Sequence, residues 1–233
     1  MLSPLKFHKQ FSCLLMVFTL SACYDNAPNT KVYTLNGDVI FKGAITEKSV
    51  DETIDLLSNG NTNLRITSEG GANIPAIRLA NYIFDNNIKV TFDVQCYSAC
   101  ANYILPSSKN AVVKKGTIVG WHGGAYQEHW EDELESNPDA IARIELWKKK
   151  ETEIFNKFNI DHNITIYGVL NDFELLKAER HCSKIGEAGN FQGWTYKISD
   201  IKRMGIKARF EDEEIPLSYE GVDLQCLIFP FNN

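Results

Sequence analysis

The feature that most restricts the fold of this chain is a regular alternation of strand and helix patterns between residues 31 and 122. Short runs of β-branched and aromatic residues alternate with stretches in which apolar residues recur every three or four positions. This alternation predicts an α/β fold in which helices cover a mainly parallel sheet. The formal net charge of −6 over 233 residues argues against a nucleic-acid partner, because nucleic-acid binding usually needs a basic face.

The expected elements of this region are short and closely spaced. Asn36-Gly37 is a two-residue hairpin signal, and Thr46 is a good helix N-cap. The predicted strands are Val32–Leu35, Val39–Phe41, Leu64–Thr67, Lys89–Val94, Ala111–Val113 and Thr117–Trp121. The predicted helices run from the Thr46 cap to Leu57, from Ile74 to Phe84, and from Ala99 to Leu105, where Pro106 closes the last one.

A longer helix over residues 138–158 is predicted to begin at Pro138, after an Asn137 cap. One stripe of this helix is largely apolar and consists of Ile141, Ile144, Trp147, Glu151, Ile154, Phe155 and Phe158. Two interpretations stay open. The helix either packs on the core of its own chain, or it projects and buries the stripe against a second copy in a homo-oligomer.

The C-terminal third predicts one more strand-helix unit and a final strand. Thr195–Ile206 forms the unit, and its core-facing residues are Ile198, Ile201 and Met204. Leu224–Phe231 is predicted as an edge strand. We therefore divide the mature chain into a domain over residues 31–210 and a C-terminal tail over residues 211–233.

The first 22 residues have the pattern of a leader that is removed from the mature chain. Lys6 and Lys9 precede an apolar run that is too short to span a bilayer as a permanent helix. The run ends in Leu20-Ser21-Ala22-Cys23, which resembles the lipobox of bacterial lipoproteins. The resemblance implies lipidation of Cys23, a tether over residues 23–30, and a periplasm-facing chain anchored in the cell envelope, at the outer membrane rather than the inner. An ordinary cleaved signal is the alternative.

Four further cysteines would remain in such a mature chain: Cys96, Cys100, Cys182 and Cys226. A location outside the cytoplasm permits disulfides, and four cysteines allow three pairings. Cys96 with Cys100 would form a local clip, and Cys182 with Cys226 would tie the tail to the body. Metal binding is the alternative, but the chain has no Cys-x-x-Cys or His-x-x-x-His pair, so no metal site is predicted.

Three candidate chemical sites each follow a predicted strand, where open α/β sheets place their ligands. Gly70-Gly71 allows close backbone approach to a ligand, and a simple tight turn is the alternative, which these two residues by themselves favour. Ser98 lies where a strand passes into a helix, so it is either a nucleophile or a helix cap. His122 stands at a strand end before two glycines and is either a general base or structural.

The order of these sites resembles the proteolytic subunit of the Clp protease and its periplasmic relatives, within the wider crotonase-like fold. The matching segments, over roughly residues 33 to 206, are Ile66–Gly71 (ITSEGG), Cys96–Leu105 (CYSACANYIL), Val119–Gly124 (VGWHGG) and Lys197–Lys207 (KISDIKRMGIK). The resemblance implies a spiral of repeated β-β-α units with one long projecting helix. The chain departs from the family at Glu69, Cys96, Tyr97 and Cys100.

By the same resemblance, Ser98 is the nucleophile and His122 is the general base, with the Gly71 and Ala99 N–H groups as the oxyanion hole. The family places an Asp beyond the long helix, and Asp172 lies in the matching region, with Asp161 before it. A hydroxyl nucleophile needs a base within hydrogen-bond reach, and a tetrahedral oxyanion needs two fixed donors.

These features predict a membrane-anchored, ATP-independent serine peptidase of the periplasm that uses no cofactor. Its substrates would be peptides or unfolded protein segments. No ATPase partner is expected, because ATP is absent outside the cytoplasm. The alternative is a catalytically incomplete lipoprotein of the same fold that acts as a binding or assembly module.

Overall fold

The computed structural model of the protein describes residues 30–126, 138–166, 191–216 and 226–228. The leader, Cys23, Asn137, Asp172 and Cys182 lie outside these described residues.

The strands are β1 (Lys31–Leu35), β2 (Asp38–Lys42), β3 (Asn63–Ser68), β4 (Lys89–Tyr97), β5 (Val112–Val113), β6 (Ile118–Gly120), β7 (Phe191–Trp194), β8 (Arg209–Phe210) and β9 (Cys226–Ile228). The α-helices are α1 (Glu47–Ser58), α2 (Asn73–Asp85), α3 (Leu105–Ser107), α4 (Pro138–Phe158) and α5 (Ile198–Arg203). A π-helical turn (Cys100–Ile104) leads into α3, and a 3₁₀ turn (His162–Thr165) follows α4.

The described strands form a mostly parallel sheet, as predicted. Its order is β1-β2-β3-β4-β5-β8, and β6 also pairs with β4. Only the β1–β2 pair of this sheet is antiparallel within the described residues. β7 and β9 pair in parallel as a separate two-stranded sheet, which confirms a strand within the predicted Leu224–Phe231 run. The fold is therefore mixed α/β with covering helices.

Local sequence signals account for the first hairpin and the first helix. Asn36 and Gly37 both have positive φ, 52° and 84°, which is the geometry that a two-residue hairpin turn requires. Thr46 caps α1: its side chain accepts from the Ser49 backbone N–H, and the Ser49 side chain in turn bonds the Thr46 backbone N–H. Both features confirm predictions made from a few adjacent residues.

Strand β4 runs three residues past its predicted end at Val94, and the prediction was wrong there. Ile66 pairs with Phe92, but Ser68 pairs with Cys96, so β4 carries two extra residues opposite β3. Val94, within this bulge, has φ of 64°, which is rare for a β-branched residue. Beyond the bulge, β4 exchanges its partner β5 for β6, and this exchange brings the end of β4 beside the end of β6.

The two halves of α4 differ in burial. Ile154, Phe155 and Phe158 are buried in the main core, and Trp147 packs against it. In the N-terminal half, Ile144 of the predicted stripe is also buried, whereas Ile141 of the same stripe is 44% exposed. Leu146, which lies on another face of the helix, is 47% exposed. The C-terminal half therefore packs on its own chain, while contact with a second copy stays a prediction. None of the described helices is long and apolar enough to cross a bilayer.

Candidate active site

Ser98 and His122 meet at the carboxyl ends of two neighbouring parallel strands. Ser98 follows β4, and His122 follows β6 after one further residue, Trp121. Ser98 Oγ and His122 Nε2 are 2.6 Å apart, which is hydrogen-bond distance. The structure thus brings together the two strand-end side chains to which the Clp resemblance gives the roles of nucleophile and base.

The backbone of Ser98 makes a sharp turn between strand and helix. Its φ of 57° lies in the left-handed region, which costs a residue other than glycine about 1–2 kcal/mol. The turn is held because the Ser98 N–H donates to the Gly120 carbonyl at 3.0 Å, and the Asn102 N–H donates to the Ser98 carbonyl at 2.8 Å. A strained backbone that displays a hydroxyl at a strand end is typical of nucleophile turns.

A disulfide joins Cys96 to Cys100 across this turn. The two Cα atoms are 5.2 Å apart, and both residues are fully buried. The bond closes a loop of only five residues with Ser98 at its centre, so the predicted local clip is confirmed. Cys182, the predicted partner of Cys226, lies outside the described residues, so that pairing stays a prediction.

The helix that follows the turn continues past its predicted end. Pro106 was expected to close it, but α3 extends to Ser107. The reason is the π-helical turn before it, in which the Leu105 N–H donates to the Cys100 carbonyl. Pro106 then lies in the first turn of α3, where the missing proline N–H costs no hydrogen bond.

Gly70 packs directly against the serine turn. A Cβ atom on Gly70 would lie 2.6 Å from the Ser98 Cβ and 3.0 Å from the Ala99 nitrogen, so no larger residue fits. Ser68 supports this approach by accepting a hydrogen bond from the Gly70 N–H at 3.0 Å. The glycine pair is therefore required by packing and is more than a simple turn.

The two backbone N–H groups predicted as the oxyanion hole have no acceptor within the described part of the chain. Ile45 takes the hydrogen bonds on either side of Gly71: its N–H donates to Gly70 O at 2.7 Å, and its carbonyl accepts from Ala72 N–H at 2.8 Å. Among the described residues, neither the Gly71 N–H nor the Ala99 N–H at the start of the helix has a hydrogen-bond acceptor. Unused donors beside a nucleophile are what an oxyanion hole needs.

The His122 side chain is exposed to solvent, and its ring packs against the ring of Tyr97. Desolvation lowers the pKa of His122, and the backbone of His122 itself opposes this shift in part. The neutral imidazole therefore predominates near pH 7. In that form Nε2 can accept the Ser98 hydroxyl proton, as a general base must.

No carboxylate among the described residues is hydrogen bonded to His122. Asp172 lies outside them, so its predicted role stays a prediction. The carboxylate of Asp161 is used elsewhere, since its Oδ1 accepts from the Asn163 N–H at 2.9 Å and caps the 3₁₀ turn. The described residues also contain no group of three or more side chains arranged to hold a metal ion.

The ring of Tyr97 packs against the ring of His122, with centroids 5.4 Å apart. Tyr97 is buried, and its hydroxyl has no hydrogen-bond partner within the described residues. Desolvation by burial raises the pKa of Tyr97, so the hydroxyl stays protonated. Gly193 faces this hydroxyl: a Cβ there would lie 2.5 Å from it. Gly193 belongs to β7, and the sequence did not predict that this strand packs beside Tyr97.

Glu151 is a buried carboxylate that sequence reasoning placed on the α4 stripe but not near the site. It is 1% exposed, and its carboxylate accepts from the Tyr103 hydroxyl at 2.5 Å and from the Ala125 N–H at 3.2 Å. Trp147 Nε1 donates to the same Tyr103 oxygen at 2.7 Å. Burial raises the pKa of Glu151, while its hydrogen-bond donors oppose that shift. The one sequence signal for a buried role of Glu151 is its position as the only acid within an apolar helix stripe.

A surface cavity of about 310 Å³ lies elsewhere, over β1 to β4. Its walls include Tyr33, Asp38, Arg65 and Asp93, and none of the Ser98, His122 or glycine-pair residues. The chemistry of the strand ends, and not the size of this cavity, locates the candidate site. No protein-family model matches the chain, and no curated protein is similar to it.

Proposed function

We propose that this chain is a serine hydrolase of the kind found in the Clp protease and crotonase-like superfamily, acting through an acyl-enzyme. The 2.6 Å contact between Ser98 Oγ and His122 Nε2 carries the proposal. The strained Ser98 turn and the unused N–H groups of Gly71 and Ala99 support it. The finer fold assignment, a spiral of repeated β-β-α units, rests on the motif order and is part of the proposal.

The proposed reaction begins when neutral His122 takes the Ser98 proton at Nε2 as Oγ attacks a substrate carbonyl carbon. The resulting oxyanion is stabilised by the N–H groups of Gly71 and Ala99. When the tetrahedral intermediate collapses, the C–N bond breaks and His122 returns its proton to the leaving amine. Water then attacks the acyl-serine ester while His122 takes its proton. The bond between the acyl carbon and Ser98 Oγ breaks, and His122 returns the proton to Oγ, which releases a carboxylic acid and free Ser98.

The proposed substrates are peptides or short unfolded protein segments, cut without ATP. The lipobox-like Cys23 supports anchoring in the bacterial envelope, facing the periplasm. The exposed Ile141, an apolar member of the predicted α4 stripe, supports assembly of several copies. Release from membranes on Cys23→Ser would be expected under this proposal, and a strict monomer in sedimentation would contradict the assembly part.

A binding or assembly module with an incomplete site is the second candidate. It is favoured by one observation, namely that His122 has no carboxylate partner among the described residues. The short Ser98–His122 contact argues against it, because it gives the serine hydroxyl a base within hydrogen-bond reach.

Labelling with a fluorophosphonate probe separates the two candidates, because the probe reacts with an activated serine. Folded protein is expected to take up one probe per chain, and Ser98→Ala is expected to take up none. Removing the base with His122→Ala should slow labelling by about 10²- to 10⁴-fold. The rate should rise to a plateau as the pH increases through a pKa below 6.5, because desolvation lowers the pKa of His122.

Ser58→Ala is the matched control, since it removes an exposed hydroxyl at the end of α1. This variant should label at the wild-type rate. Absence of labelling in the folded wild-type protein, or labelling that persists in Ser98→Ala, would rule out the proposed function.

A further inference from the structure

Asn102 connects two segments with two hydrogen bonds. The serine segment (residues 98–102) carries Ser98, and the histidine segment (residues 120–123) carries His122. Asn102 is 1% exposed and lies in the π-helical turn after Ser98. Its backbone N–H donates to the Ser98 carbonyl at 2.8 Å. Its side-chain Nδ2 donates to the carbonyl of Gly123, the residue next to His122, also at 2.8 Å. One buried side chain therefore spans the two halves of the Ser–His pair.

The serine segment thereby holds the backbone on both sides of His122. Before the histidine, the Ser98 N–H donates to the Gly120 carbonyl at 3.0 Å as the end of the β4–β6 pairing. After the histidine, Asn102 binds the Gly123 carbonyl. The first bond is ordinary strand pairing, but the second depends on a side chain. Without it, the backbone after His122 loses its link to the nucleophile.

The amide orientation follows from the same contact. A flipped Asn102 would place Oδ1 against the Gly123 carbonyl oxygen, two acceptors facing each other, so Nδ2 must face it. Asn102 Oδ1 has no partner among the described residues. An unpaired amide oxygen in a core is unfavourable, and an apolar residue would avoid it. The donor Nδ2 is therefore the part of this side chain that the structure uses.

We infer that Asn102 is a positioning residue, which holds the His122 imidazole in line with the Ser98 hydroxyl. The inference rests on the proposed serine hydrolase function and adds to it a residue that does not touch the substrate. Its consequence is quantitative. A misplacement of about 1 Å between reacting groups is enough to slow a reaction by about 10²-fold.

The test compares two variants with fluorophosphonate labelling as the readout. Asn102→Asp keeps the shape and replaces the donor with an acceptor, and Asn102→Leu keeps the branching without charge. Both are expected to lower the second-order labelling rate constant by about 10- to 100-fold while the final stoichiometry stays near one probe per chain. A purely structural role would instead lower the fraction of chains that react and leave the rate constant of the folded chains unchanged.

Asn61→Asp and Asn61→Leu are the matched controls. Asn61 Nδ2 also donates to a backbone carbonyl, that of Leu56 at 2.7 Å, but away from the Ser–His pair. These controls should label at the wild-type rate constant. The inference is overturned if both Asn102 variants label within twofold of wild type, if only the charged one is slow, or if neither yields folded protein by circular dichroism. Failure of the wild-type protein to label would overturn the proposed function instead.

Discussion

The turn that carries Ser98 and the turn that carries His122 are held in place by different means. The serine turn is closed covalently by the Cys96–Cys100 disulfide and is packed against Gly70 without space for a side chain. The histidine turn depends on hydrogen bonds to buried polar groups, with Asn102 on Gly123 and Glu151 on Ala125. We therefore expect the serine turn to be sensitive to added side-chain volume at Gly70 and to reduction of the disulfide. We expect the histidine turn to be sensitive to the protonation of Glu151 and to loss of the Asn102 donor.

Adding one methyl group at Gly70 is expected to have the largest effect on the serine turn. Gly70→Ala would place a Cβ 2.6 Å from the Ser98 Cβ, and the positive φ of 98° adds strain. We expect the free energy of unfolding to fall by about 2 kcal/mol or more. The labelling rate of Ser98 should fall by about 10²-fold. Urea unfolding and fluorophosphonate kinetics measure the two effects.

Gly60→Ala is the matched control for this prediction. Gly60 has the same φ of 98°, but an added Cβ would meet no atom of the described residues within 4 Å. This variant carries the backbone strain without the collision, so it should lose stability while Ser98 labels normally. Equal labelling rates in the Gly60 and Gly70 variants would show that the close approach of Gly70 does not position the serine.

Removal of the disulfide is expected to weaken the serine turn and leave the histidine turn intact. The double change Cys96→Ala and Cys100→Ala should lower the free energy of unfolding by about 2 kcal/mol, because the closed loop is short. Reductant during urea unfolding should destabilise the wild-type protein by a similar amount. If reductant lowered the free energy of unfolding of the double variant by a similar amount, the effect would come from other cysteines.

The histidine turn should respond to pH through Glu151. Burial raises the folded-state pKa of Glu151 above its value of 4.5 in the unfolded chain. The folded protein therefore retains a proton that the unfolded chain loses. The stabilisation from this group is complete below pH 4.5 and is lost as the pH rises through the folded pKa. Relative to wild type, Glu151→Gln should accordingly gain stability as the pH rises from acid to neutral, as urea unfolding at several pH values would show.

Glu153→Gln, two residues further along α4, serves as the control with the opposite sign. A hydrogen bond from Lys150 lowers the pKa of Glu153, so its stabilisation is present above the unfolded pKa and lost as the pH falls. The variant should lose stability relative to wild type as the pH rises. If both Gln variants shifted in the same direction, the assignment of the pH dependence to Glu151 would be wrong.

The smallest effect is expected at Tyr97, where the two turns touch. Its hydroxyl has no partner among the described residues, so Tyr97→Phe removes only an unpaired buried group. Stability should stay level or rise by about 1 kcal/mol, and the labelling rate should stay within about twofold of wild type. Tyr97→Ala removes the ring that packs on His122 and should slow labelling clearly more. Equal rates in the two variants would mean that the ring does not support the histidine.

Features determined by a few adjacent residues could be predicted from the sequence. The Asn36-Gly37 hairpin and the Thr46 cap depend on local backbone preference and short-range hydrogen bonds. The pairing of Ser98 with His122 could also be predicted, because parallel strands bring their carboxyl ends to one edge. Their roles as nucleophile and base came from the resemblance of the motif order to the Clp family.

Only the tertiary structure decided the length of β4 and the supports of the site. β4 continues to Tyr97 because the bulge at Val94 lets it exchange one partner strand for another, and no local pattern encodes that exchange. Asn102 and Glu151 act on Gly123 and Ala125 across 21 and 26 residues of chain. The residue types at strand ends determine which reacting groups are available. Contacts between distant segments determine how rigidly those groups are aligned. Such contacts form only after the strands have paired, so no local sequence pattern predicts them.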